Sequence, residues 1–408
     1  MNRTATTGRA GGFKHLYVHV PFCAGKCAYC DFFSVVPRKS GPGADWARRF
    51  VEAALRQVSD VVSAGLLEQV ESVYVGGGTP TLLREEAPRL VAGLLEMVGS
   101  RGDVEVTVEA NPESLDGELA EALVASGATR LSLGVQSLDD RVLALLGRRH
   151  SARDALRALG EALAAGADVS VDLICGVPGQ SVSSWERTLR EVASRDVAHV
   201  SVYALEMGLG TELERRVRES EVVAPDPDVA AGMMAASGRL LGEAGFQRYE
   251  TSNYARPGKE SRHNSAYWTG RAYAAIGPGA HGMCDVPTAR SLGLQPPEGA
   301  HRVRYEVLRD IEQFLALADG GAPAGERGLL AVEALLDERE ALIEDVVLGL
   351  RRTAGVRHRL VVDAGLEGAL AELAGVGLVM LDANRWRPTE RGWLLGNEVA
   401  VRVLEAAG

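Results

Sequence analysis

The feature that most limits the fold of this chain is an alternation. Between residues 16 and 250, short β-rich runs take turns with longer amphipathic stretches. The strand-like runs cover 16–20, 72–75, 104–109, 130–135, 169–174 and 199–205. Helical periodicity covers 46–62, 87–98, 118–126, 153–165 and 184–194. Strands joined through helices pair in parallel, because a parallel neighbour is reached only by a crossover. Six such units predict an α/β chain with a partial (β/α)6 barrel. A doubly wound sheet is the alternative, although no G-x-G-x-x-G opens a helix. In barrels the chemistry gathers where strands run into their following loops, and the unusual residues of this chain fall at such points.

The loop after the first run reads Cys23-Ala24-Gly25-Lys26-Cys27-Ala28-Tyr29-Cys30, which places three of the five cysteines within eight residues. Three thiolates so close can grip a soft metal centre. A structural zinc site usually takes four protein ligands and a ferredoxin cluster four cysteines, but no fourth cysteine or histidine is near in sequence. An iron–sulfur cluster with one iron open to a small molecule fits. A zinc knuckle completed by a distant ligand remains the alternative. Five cysteines in 408 residues are too sparse and too odd in number for a disulfide framework.

Later loops carry their own signals. Gly76-Gly77-Gly78-Thr79-Pro80 ends the second strand, where glycines let the backbone approach a ligand or simply turn tightly. Glu109 stands before Ala110-Asn111-Pro112 at the third, as a ligand contact or a loop brace. Gln136 closes the fourth, and Arg148 follows in Leu146-Gly147-Arg148-Arg149-His150. Asp172 interrupts an apolar run, and a carboxylate there needs a partner. Cys175 reads as inert core, and Tyr203-Ala204 ends the sixth strand. His19 shares a strand face with Tyr17, which suits a hydrogen-bonded core histidine.

The C-x3-C-x2-C spacing, with Tyr29 before the last cysteine and Tyr17-Val18-His19-Val20-Pro21-Phe22 leading in, resembles the radical S-adenosylmethionine (SAM) superfamily. The context is similar to the branch of oxygen-independent coproporphyrinogen III oxidase and the HemW-type heme chaperones. The resemblance implies that Cys23, Cys27 and Cys30 hold a [4Fe–4S] cluster. The fourth iron would take the amino and carboxylate groups of SAM, which one electron cleaves to a 5′-deoxyadenosyl radical. It further implies that Gly76, Gly77, Gly78 and Thr79 meet the SAM amino group and that Glu109 contacts SAM. Gln136 suits a ribose hydroxyl, and Asp172 falls near the ribose. Arg148 would pair the carboxylate, Ala204 would touch adenine and Tyr17 would stand beside the sulfonium.

A second stretch, 247–282, is polar and aromatic at once and contains His263-Asn264-Ser265-Ala266-Tyr267-Trp268. This H-N-x-x-Y-W segment is similar to one typical of the HemW-type chaperones. The resemblance makes His263 a candidate heme ligand, with Tyr267 and Trp268 against a porphyrin face. A satisfied loop histidine beside a core tryptophan is the plainer reading. His281 and Cys284 are weaker ligand candidates. The oxidases usually carry a further cysteine two residues after the third, where this chain has Phe32, and a longer arm than the 22 residues before Cys23. The resemblance therefore implies a heme chaperone that delivers heme to acceptor hemoproteins of respiration. Oxidative decarboxylation of coproporphyrinogen III is the alternative.

The expected organisation is a flexible start (1–12), the barrel (13–285), a Pro- and Gly-rich joint (286–299) and a mostly helical C-terminal domain (300–408). In that domain 307–317, 329–336 and 340–350 read as helices. The helix–strand–turn–strand pattern at 368–389, with Arg385, Trp386 and Arg387 on its wing, resembles a winged helix. A lid over the barrel mouth or a docking surface suits it better than nucleic acid, because the net charge is −11 and no wide basic face is legible. No run approaches the ~18 apolar residues of a spanning helix, and a cytoplasmic place fits the free thiols. Association as a homodimer and peripheral contact with a membrane are both compatible with the sequence.

Overall fold

The computed structural model describes residues 11–37, 45–99 and 103–408. The expected flexible start therefore lies outside the described residues except for Gly11 and Gly12. All six expected strands form: β1 (Phe13–Val20), β2 (Leu67–Gly77), β3 (Glu105–Ala110), β4 (Arg130–Gln136), β5 (Asp168–Cys175) and β6 (His199–Ala204). They lie side by side in chain order and pair in parallel. Helices Trp46–Ser63, Glu86–Met97, Gly117–Ala125, Ala152–Ala164 and Val182–Ala193 make the crossovers. This is the partial (β/α)6 barrel.

The two faces of the strands differ in chemistry. Leu16, Val18, Val73, Val75, Val106, Val108, Leu131, Leu133, Val169 and Val171 are almost wholly buried, in one cluster with helix residues such as Phe50, Leu90, Leu159 and Trp185. The residues between them form the inner face, where His15 lies opposite Ser72, Tyr17 opposite Tyr74, Glu109 opposite Ser132 and Ser170 opposite His199. A parallel sheet covered by helices is usually apolar on both faces. Here the lumen is polar, so its groups must find partners, water or a ligand.

The sheet extends beyond the six strands. β7 (Gln247–Arg248) and β8 (Asn253–Ala255) add beside β6. β9 (Tyr273–Ile276) pairs in parallel with β1, followed outward by antiparallel β10 (His281–Asp285), β11 (Arg302–Val307) and β12 (Leu330–Leu336). Two expectations change accordingly. The stretch 286–299 is not a joint between cores; it holds helix Val286–Ser291 and links two neighbouring strands of one sheet. Within the expected helix 329–336, residues Leu330–Leu336 are strand instead. Their Ala, Leu and Glu favour helix only by tenths of a kcal/mol, and pairing with β11 overrides that preference.

A second core begins further on, with Ile343, Val346, Leu370, Trp386 and Val403. Helix Glu338–Gly349 opens it behind a capping box of Asp337 and Glu340. The hairpin of Val379–Asp382 and Arg385–Pro388 turns through Ala383 and Asn384, both left-handed, as two-residue hairpins prefer. The expected wing residues brace this unit from within: Arg385 donates to the carbonyls of Ala354 and Gly355, and Trp386 to His358 Nδ1. A short strand, Val356–Arg357, pairs with the second arm of the hairpin, and the rest of the unit is mostly helical, as expected. Among the described residues no helix is long and apolar enough to cross a membrane.

Candidate functional site

The cysteine loop is held from several sides. Phe22, 2 % exposed, packs its ring 4.4 Å from Trp46 and 5.5 Å from Phe50 and so fixes the loop's root on the first helix. Truncating a ring buried this way costs about 3–5 kcal/mol. The chain returns alongside: Cys23 N donates to Val35 O and Val35 N to Pro21 O. Ala28 is tied to Leu146 and Leu213 through its backbone, and Arg149 donates to Ala24 O at 2.9 Å. All three thiols are free, partly buried and open to one cavity. Burial pushes the Cys23 and Cys30 thiols up, partly offset by hydrogen bonds from Ser34 and Thr79 to Cys23 and from the Phe32 backbone to Cys30. Cys27 Sγ accepts from Arg148 at 3.4 Å.

Among the described residues no trio of His, Cys, Asp or Glu closes on a single ion. A multi-iron cluster does not need such convergence, because each thiolate meets a different iron. Three soft donors on one braced loop, with a guanidinium against one of them, fit that group.

The cavity measures about 1050 Å³, the upper end of the ~300–1,000 Å³ usual for small-molecule pockets. Cys23, Cys27, Cys30, Gly77, Gly78, Thr79, Glu109, Gln136, Arg148, Asp172 and Ala204 all reach it. The glycines are steric requirements: a Cβ on Gly77 (φ +105) would stand 2.5 Å from the His19 ring, and one on Gly78 2.6 Å from Phe22 O. Gly76 lies just behind the wall, where a Cβ would strike Glu109 and Tyr74 at 2.8 Å. Glu109 accepts from Tyr74 OH at 2.7 Å and Gly77 N at 3.0 Å. Burial, with the Asp172 charge adding, nevertheless pushes its carboxyl up to about 7. Burial also raises Asp172, although Ser201 and Ser132 donate to it. Gln136 sits in the left-handed region (φ 64) beside a break in the β4–β5 register. A non-glycine residue held there is a strain that often marks a functional position.

Sequence reasoning missed several members. Asn111 donates to Thr79 Oγ1 at 2.8 Å and accepts from Arg148, so it couples the glycine loop to the arginine. Gly134 leaves room for this group, since a Cβ there would meet Asn111 Oδ1 at 2.8 Å. The signal available was Asn111's place between Glu109 and Pro112 at a strand end. Trp393, Leu394, Leu395, Asn397 and Arg351 of the C-terminal unit also line the cavity. Trp393 docks that unit on the barrel: its Nε1 donates to Thr251 O at 2.8 Å, and the Arg248 guanidinium lies 3.6 Å over its ring.

Other expected residues are elsewhere. Tyr17 is outside the cavity lining, and its OH bonds His19 Nδ1 at 3.0 Å. His263, Tyr267 and Trp268 do not line it either. His263 is 1 % exposed, with Nδ1 2.8 Å from Ser72 Oγ and Nε2 3.0 Å from Tyr267 OH. Its ring stacks on Tyr74 at 5.0 Å, and burial pushes its pKa down to about 3. Both nitrogens are engaged, which is the arrangement of the plainer reading, a satisfied core histidine. Below the main cavity a polar pocket of about 70 Å³ shares Glu109, Ser132, Asp172 and Tyr203 with it.

Residues 17–192 match the model of the radical SAM superfamily. The fold as a whole is shared with coproporphyrinogen III oxidase (HemN) from Escherichia coli, at a TM-score of 0.75 and 22 % identity over 96 % of this chain and 90 % of that one. The class is thus a radical SAM protein. The protein called heme chaperone HemW in Mycobacterium tuberculosis (strain ATCC 25618 / H37Rv) is 40 % identical over 395 residues, 95 % of this chain and 94 % of the relative. That of Bacillus subtilis is 30 % identical over 95 % of this chain and 98 % of its own. A mouse relative, radical S-adenosyl methionine domain-containing protein 1, mitochondrial, is 45 % identical over 90 % and 82 %. This chain belongs to the HemW family within the superfamily.

Proposed function

We propose that this chain is a heme chaperone that binds a [4Fe–4S] cluster, SAM and heme, and hands heme to acceptor hemoproteins, including those of respiration. The observation that carries the reading is the near end-to-end relationship to proteins named heme chaperone HemW, at 40 % identity over 95 % of the chain. Phe32 supports it against the oxidase, because it stands where the oxidases usually have a further cysteine. In this reading Cys23, Cys27 and Cys30 hold the cluster. Gly77, Gly78, Thr79, Glu109, Gln136, Arg148, Asp172 and Ala204 form the SAM cradle, with Gly76 and Tyr17 supporting it from behind. When bound, the cluster and SAM supply one-electron chemistry. The chain's own part is positional. Arg148, fixed by Asn111 and Gly134 O, presents a fork suited to a carboxylate. Glu109 holds or releases a proton according to whether a cation lies against it. The protein works in the cytoplasm, and a homodimer or contact with a membrane surface would bring it to its acceptors.

The test is anaerobic incubation of coproporphyrinogen III with the cluster-replete protein, SAM and a reductant. The expected result is no protoporphyrinogen, with heme retained by the same preparation. Protoporphyrinogen at catalytic yield would make the protein an oxidase instead.

A further inference from the structure

Resting on the heme-carrier reading, we propose that Arg351 binds a propionate carboxylate of the tetrapyrrole, whose apolar body lies in the outer part of the main cavity, between barrel mouth and C-terminal unit. The cavity has two chemistries. Its floor is the cysteine loop and the polar strand ends. Its outer wall is mostly apolar, with Leu205, Met207, Pro225 and Met234 from the barrel side and Leu394 and Leu395 from the C-terminal unit. Glu206 and Glu398 also stand on this wall, so a single positive charge is set among apolar groups and two acids. A mostly apolar wall with a few placed polar groups is the usual form of a site for a flat, mostly apolar ligand.

Arg351 supplies that charge. It follows the end of helix Glu338–Gly349, and its backbone N is bonded to Leu348 O, so its base is fixed. One guanidinium nitrogen donates to Asn397 Oδ1 at 2.7 Å, which sets the plane of the fork. Among the described residues no carboxylate comes within salt-bridge distance of it; Glu206 and Glu250 act on it only from further off. A half-buried guanidinium without a close, hydrogen-bonded counter-charge is costly to the fold. A carboxylate carried by a ligand removes that cost through parallel N–H···O bonds. An apolar plate with carboxylates at its rim matches both the wall and the arginine.

The test compares hemin with hemin dimethyl ester, whose propionates carry no charge, titrated into the full-length, cluster-replete protein and followed by absorbance. The unchanged protein is expected to prefer hemin by about ten- to a hundredfold, the scale of hydrogen bonds to a charged group. Arg351→Gln should bring the two ligands within about threefold by weakening hemin alone, the ester having no charge to lose. Arg351→Lys should keep part of the preference, because it keeps the charge and loses the fork. A wild-type preference retained in Arg351→Gln, or no preference in the unchanged protein, overturns the proposal while leaving heme carriage standing. Binding of neither ligand to the unchanged protein overturns the heme-carrier reading itself. If Arg351→Gln does not fold, Arg351→Lys decides: an undiminished preference contradicts the role of the fork.

Discussion

Both ends of the barrel lumen are polar, yet they do different things. At the lower end, Ser72 Oγ lies 2.8 Å from both His15 Nδ1 and His263 Nδ1, and His199 is bonded to Ser170 and Tyr249. Glu105 accepts from Ser261 Oγ and from the backbones of Arg262 and His263. At the mouth, the thiols, Glu109, Asp172 and Arg148 look into open space. Most of the lower groups are paired, with His15 Nε2, Thr107 Oγ1 and Arg130 Nε as exceptions among the described residues. Polarity inside a barrel therefore does not mark a site, whereas polar groups facing a large open cavity can. A satisfied network specifies and braces the fold, whereas an open one can meet a ligand.

The largest way to break this contrast is at the mouth. Cys23→Ala, Cys27→Ala and Cys30→Ala together should abolish the visible absorption of the reconstituted protein and its iron and sulfide. A full iron and sulfide complement in that variant would remove the cluster from the account. Next comes the brace below. Glu105→Ala strips three donors of one buried acceptor and should lower stability by about 2–3 kcal/mol. Denaturant melts would show the loss, and the metal content of the folded fraction should not change. A lost cluster with unchanged stability would reverse the roles of the two ends.

The smallest effect is on pH, and the two ends should slope in opposite directions. Burial pushes His263 down to about 3 and His15 to about 4, from an ordinary 6.5. The unfolded chain binds protons first as pH falls, so this part of the stability is complete above 6.5 and is lost toward 4. Burial pushes Glu109 up to about 7 from 4.5, so the folded chain holds its proton longer and stability falls as pH climbs between those values. Melts against pH should find the acid limb flattened in His263→Gln and the neutral limb flattened in Glu109→Gln. If both variants trace the unchanged curve, neither group titrates as the burial implies.

Much of the upper end was legible because its signals are local. The cysteine spacing, the glycine run and the polar residues ending apolar strands each lie within a few residues of one another. His263 is ambiguous for the opposite reason. Its partner Ser72 is remote in sequence, so a histidine beside Tyr267 and Trp268 reads the same whether free or engaged. Arg351 was hidden because Arg351-Arg352 after a helix looks like a solvated surface until the fold brings Asn397 and Leu395 beside it. β12 was hidden because helix-favouring residues carry no mark of the strand that will pair with them.

The most direct measurement is hydrogen–deuterium exchange of the full-length protein with and without hemin. The account predicts slowed exchange at 203–209, 224–234 and 393–398, where the outer cavity wall lies, and no change at 262–268. Slowed exchange confined to 262–268 would put heme on the H-N-x-x-Y-W segment and contradict the division of the barrel into a closed end and an open one.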